Sequence, residues 1–131
     1  LVAVAATAAL LGVVFKFRSR TLAHGCFHQV AHKGSGCATL VREATGTIRL
    51  RLINFETAPG NDLRVLLTTA SDARENGAVE QAERLDLGPL QSPNGFQEYV
   101  VPFAPNLTDF RSVTIWSNRY RVNYATAPLQ Q

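Results

Sequence analysis

His24, Cys26, His28, His32 and Cys37 crowd together near the start of a 131-residue chain. His24, Cys26 and His28 alternate, so on an extended strand their side chains share one face. Thiolate and imidazole are ligands for tetrahedral zinc and for copper, so these residues with Cys37 across a hairpin form a candidate metal site. The spacing matches no familiar zinc motif, and glycines at 25, 34 and 36 loosen the segment. Cys26 and Cys37 are the only cysteines, and two simpler readings stand beside the metal one. In an oxidising compartment an even pair forms a disulfide. Here it would flank the turn Lys33-Gly34-Ser35-Gly36, close a loop of about a dozen residues and contribute about 2–3 kcal/mol. In a reducing compartment the pair would be two buried thiols. The disulfide is the state expected, with zinc or copper as the alternative.

No other constellation suggests catalysis, and no enzyme activity or resident cofactor is expected. A Gly-x-Ser-x-Gly nucleophile turn is absent, as are phosphate-loop and dinucleotide fingerprints. Asp62, Asp86 and Asp109 stand beside turn residues and suit turn capping. The net charge is +3, with eleven of the thirteen cations Arg, but they are scattered. Nucleic-acid binding wants a concentrated basic patch, so it is not expected.

The elements that must position these residues read as strands. Ile48-Arg49-Leu50-Arg51-Leu52 and Leu63-Arg64-Val65-Leu66-Leu67 carry apolar residues at alternate positions. The second follows a dense turn signal, Ala58-Pro59-Gly60-Asn61-Asp62. Ser92-Pro93-Asn94-Gly95 leads into Phe96–Val101, and Pro102 ends that strand or places it at a sheet edge. Ser112–Tyr124 is rich in β-branched and aromatic residues and reads as one bent strand or two short ones. Ser71–Arg84 is polar and reads as an exposed loop with a helical turn over Val79–Arg84. The expectation is all-β: an antiparallel sandwich or barrel of seven to nine short strands over residues 25–131. Leu50, Leu52, Val65, Leu67, Val113 and Ile115 are assigned to one core.

Leu1 to Phe15 carries no charge and no proline. The chain contains no Met, so upstream residues are expected, and these would complete a span of roughly 20 apolar residues. Residues 1–17 are read as a helical membrane anchor and 18–24 as a linker. A signal-peptide core and a buried helix are the other readings. Lys16, Arg18 and Arg20 favour a cytoplasmic flank, whereas the cysteine pair favours the outside, and the outside is preferred.

Five motifs in order resemble the DM-thirteen domain family, small β-domains often found beside DOMON domains and described as electron-transfer modules. Gly25-x-Phe27, His32 and Gly36 resemble its opening. Leu50-x-Leu52-x-Asn54-Phe55 and Gly60-Asn61-Asp62-Leu63-x-Val65-x-Leu67 resemble its middle, with Asn61 where Pro is common. Leu87-Gly88-x-Leu90 and Gly95-x-Gln97-x-Tyr99-x-x-Pro102 follow. Val113-x-Ile115-Trp116-Ser117-x-x-Tyr120-x-Val122, Ala127 and Leu129 resemble its end. The resemblance implies an extracytoplasmic β-domain. It also implies a redox cysteine at the position held here by Ser117. A serine hydroxyl neither exchanges disulfides nor ligates haem iron well, so haem is not expected. Ser117 is expected to point inward with Val113 and Ile115. His32 matches a family position and reads as a turn residue. Trp116 and Tyr120 read as core or rim aromatics, with ligand contact by His32, Trp116 or Tyr120 as the alternative. The function expected is a membrane-anchored, extracytoplasmic, non-catalytic binding or structural module with an unknown partner. A redox or metal module using Cys26, Cys37 and the histidines is the second reading.

Overall fold

The computed structural model describes residues 18–104 and 106–131. The apolar run expected as an anchor lies outside the described residues. Among those described, no helix is long and apolar enough to cross a membrane.

Among the described residues, nine strands form two antiparallel sheets. They are β1 (Arg20–Cys26), β2 (His28–Gln29), β3 (Gly34–Arg42), β4 (Ile48–Thr57), β5 (Leu63–Thr68), β6 (Arg84–Pro89), β7 (Gln97–Val101), β8 (Ser112–Ser117) and β9 (Val122–Pro128). One sheet runs β1-β3-β4-β7 and the other β2-β9-β8-β5-β6. One short helix, α1 (Asn76–Gln81), precedes β6.

The strand periodicity decides the core. Leu50 and Leu52 of β4 face Val65 and Leu67 of β5 and Val113 and Ile115 of β8, and all six are fully buried in one cluster. The first strand starts at Arg20, so residues 20–24, read as linker, belong to the β-domain. They join it because the backbone of His24 donates to and accepts from Gln130 at 2.9 Å, while β3 holds the other edge.

The polar segment 71–84 departs from the expected exposed loop. Ala73 and Val79 are fully buried and, with Leu66, cover Trp116 on the outer face of the second sheet. The helix runs over 76–81, earlier than the turn expected at 79–84, and β6 takes up Arg84. The reason is tertiary: two small apolar residues in a charged segment suffice to seal a Trp ring that the strand parity of β8 pushes outward. The first hairpin also differs from expectation. Gly34 and Gly36 lie within β3, and the reversal spans 27–33, where β2 crosses to pair with β9.

Candidate functional site

Cys26 and Cys37 sit directly opposite each other on β1 and β3 and are joined by a disulfide of 1.96 Å. Two glycines set this pairing. Gly36 has φ 88° and marks a bulge between Ser35 and Cys37, where a Cβ would stand 2.5 Å from the Asn54 carbonyl oxygen. The extra residue of the bulge lies in β4, where Asn54 (φ 51°) and Phe55 oppose Gly36. Gly25 lies between the two outward residues His24 and Cys26. A Cβ there would meet the Pro128 carbonyl oxygen at 1.7 Å, so only glycine lets the end of β9 press against β1.

The pair lies at the surface, with Cys26 exposed and Cys37 half-buried. His24 shares their face, its Nε2 3.9 Å from Cys26 Sγ. Its other nitrogen, Nδ1, is 2.8 Å from Thr39 Oγ1, the residue opposite it on β3. Among the described residues His24, Cys26 and Cys37 are the group whose ligand atoms converge, all within 4.8 Å of one another. Sequence reasoning missed Thr39. Its signal was there, since Thr39 follows Cys37 by two, as His24 precedes Cys26 by two.

The other two histidines are elsewhere. His28 Nε2 donates to Asp72 Oδ1 at 2.6 Å, and Asp72 also pairs with Arg74 at 2.8 Å, so His28 ties β2 to the segment before α1. His32 stacks on Tyr124 with ring centroids 4.0 Å apart. The proposed set of five ligands therefore contracts to three, because β2 leaves the first sheet and carries His28 with it.

Ser117 presents the opposite case. It is fully buried at the end of β8 beside Leu63 and Val122. Its hydroxyl donates to the Asn61 carbonyl at 2.9 Å and accepts from the Tyr120 N–H at 3.2 Å. It thus clamps the turn before β5 to the turn after β8. Trp116 is only 2% exposed and lies beneath α1, with the Arg121 guanidinium 5.9 Å from its ring, so no ligand reaches it in this conformation. Tyr120 is exposed, accepts from Asn61 Nδ2 at 3.3 Å and lies under Arg119.

A second feature escaped sequence reading. A cleft of about 970 Å³ opens at one end of the sandwich, lined by Leu22, Ile48, Val101, Phe103 and Phe110 among others, with Arg20 and Arg42 beside them. Phe103 is 92% exposed. Elsewhere several half-buried Arg side chains pair with carboxylates. Arg49 donates to Glu43 at 2.7 Å and Arg64 to Asp86 at 2.7 Å, and these hydrogen bonds raise both guanidinium pKa values.

A family model described as "Electron transfer DM13" matches residues 26–129. The chain belongs to the DM13 family. No curated protein and no solved structure matches it. The matched segment starts at Cys26 and ends at Leu129, so it takes in both the disulfide and Ser117.

Proposed function

We propose that this DM13 domain is a non-catalytic binding module of an oxidising, extracytoplasmic compartment, held at a membrane through residues 1–17. One observation carries the reading: the Ser117 hydroxyl is buried and spends its hydrogen bonds on Asn61 and Tyr120. Position 117 acts as a structural clamp, and electron transfer does not run through it. The cleft beside Phe103 supports binding, since its lining combines apolar side chains with Arg20 and Arg42, which suits a ligand with an apolar body and an anionic end. The disulfide supports the compartment.

Protein-film voltammetry of a Cys26→Ala/Cys37→Ala double variant tests the reading, because it removes the one thiol couple. No reversible signal is expected, with or without added haem. A reversible couple in that variant would overturn it.

A thiol–disulfide module is the second reading. The exposure of Cys26 favours it, since a reductant reaches an exposed sulfur and not a buried one. It predicts that the wild-type domain gives a reversible two-electron couple that the double variant lacks.

A further inference from the structure

We propose that reduction of the Cys26–Cys37 disulfide turns this face of the first sheet into a binding site for copper(I), with His24 Nε2 as the third ligand. The proposal goes beyond the reading of position 117 and does not depend on it. The first argument is placement. His24 and Cys26 point from the same side of β1, and Cys37 points from the same side of β3 directly across. A metal held by two thiolates and an imidazole wants its ligand atoms about 3.5–4 Å apart, as bond lengths of about 2.3 Å to sulfur and 2.0 Å to nitrogen require. His24 Nε2 is already 3.9 Å from Cys26 Sγ. The sulfurs, once unbonded, need only side-chain rotation to reach that spacing.

The second argument is the state of His24. A metal-bound imidazole presents one nitrogen as a lone pair and donates the other N–H to a fixed acceptor. Thr39 Oγ1 stands 2.8 Å from Nδ1 and can accept that N–H, which leaves the Nε2 lone pair facing the sulfurs. The backbone beneath is also held, because His24 is hydrogen-bonded to Gln130 on one side and paired with Thr39 on the other. A ligand on a doubly tethered strand is ordered before the metal arrives.

The third argument is chemical selectivity. Two thiolates make the set soft, which suits copper(I) and zinc, and a set of three falls short of the four ligands that tetrahedral zinc takes. No carboxylate belongs to the ligand group. His28 is engaged by Asp72 and His32 by Tyr124, so neither fills a fourth position.

The redox step balances. A dithiol reductant supplies two electrons and two protons. The Cys26–Cys37 S–S bond breaks, two thiols form, and the reductant becomes its own disulfide. Copper(I) then displaces both thiol protons and takes the His24 lone pair. In the oxidised protein both sulfurs are spent on each other and the site is closed.

The experiment reads thiols, fold and metal separately on the same protein. The purified domain is reduced with a dithiol under argon and its free thiols are counted. Trp116 fluorescence is then compared with that of the oxidised form. Copper(I) is titrated against a chromophoric chelator. The expected result is two thiols, unchanged fluorescence, and one copper(I) bound by reduced protein but none by oxidised protein. His24→Ala is expected to weaken binding by at least tenfold. Thr39→Val should weaken it by about 10–100-fold, as loss of such supporting bonds does, and His28→Ala should leave it unchanged. X-ray absorption should show two sulfurs and one nitrogen on the metal. Equal binding by oxidised protein, no effect of His24→Ala, or unfolding on reduction would each overturn the proposal. None of these outcomes bears on position 117, which the voltammetry of the double variant tests.

Discussion

The disulfide and Ser117 differ in the way that matters for chemistry. Cys26 and Cys37 lie on the outer face of the first sheet, with Cys26 exposed and a histidine beside it. Ser117 lies in the second sheet, fully buried, with its hydroxyl bonded to Asn61 and Tyr120. The first can meet a partner without any movement of the fold. The second cannot be reached unless the turns on either side of it part. The residue type therefore matters less than what the backbone around it has done. A cysteine at 117 would inherit a closed site, whereas the pair at 26 and 37 occupies an open one.

The largest expected effect tests what both regions share. Leu50→Ala and Leu67→Ala remove fully buried side chains from the core between the sheets. Each is expected to cost about 2–5 kcal/mol, measured by urea denaturation. A loss near zero would mean that the sheets do not pack through these residues, and neither site would be positioned as described.

The next effect isolates the open region. The Cys26→Ala/Cys37→Ala variant loses the closure of a short loop and is expected to lose about 2–3 kcal/mol. Trp116 fluorescence should not change, because that ring belongs to a separate cluster on the other sheet. A changed spectrum would couple the two regions and break the comparison.

The closed region is expected to respond less. Ser117→Ala leaves the Asn61 carbonyl and the Tyr120 N–H without their partner and should cost about 1–3 kcal/mol. Ser117→Cys should fold, should react slowly with a disulfide reagent in the native state, and should gain no haem and no electron-donor turnover. Rapid modification, or a haem spectrum in that variant, would show position 117 to be open and the domain to lack only its sulfur.

The smallest effect is set by pH. Burial raises the Tyr99 phenol above its ordinary value of 10.0. The fold thus favours the neutral ring. Its contribution to stability is complete below the unfolded phenol's value and is lost as pH rises through the higher folded value. Denaturant midpoints of wild type should fall in that alkaline window more than those of Tyr99→Phe. Parallel curves would remove the effect. Tyr99 packs in the same core as Leu50, so the measurement also reports whether that core loosens before either site does.

Much of this was legible in the residues. Leu50 with Leu52, Val65 with Leu67, and Val113 with Ile115 reveal their burial by parity alone, because strand side chains alternate and one face must leave water. The cysteine pairing was legible for a different reason, since two cysteines allow one pairing. Other parts were not legible. The segment 71–84 is strongly polar, and nothing in its composition shows that Ala73 and Val79 will close over Trp116. Strand β6 escaped because its alternation is weak and glycine interrupts it, and the first strand starts at Arg20, inside the segment read as linker. The contraction of the metal set from five residues to three turned on β2, two residues that cross to the other sheet.

By itself the sequence determined the class of fold, its core positions, the pairing of its cysteines and the absence of a thiol at 117. These depend on local periodicity and on which atoms are present, and neither needs a third dimension to be read. Only the tertiary structure decided which residues face outward together. That His24 joins the cysteines while His28 turns away follows from strand crossing and register. That Ser117 is sealed follows from two turns meeting over it. Both are long-range events, settled by which backbones approach each other, and no window along the chain contains them.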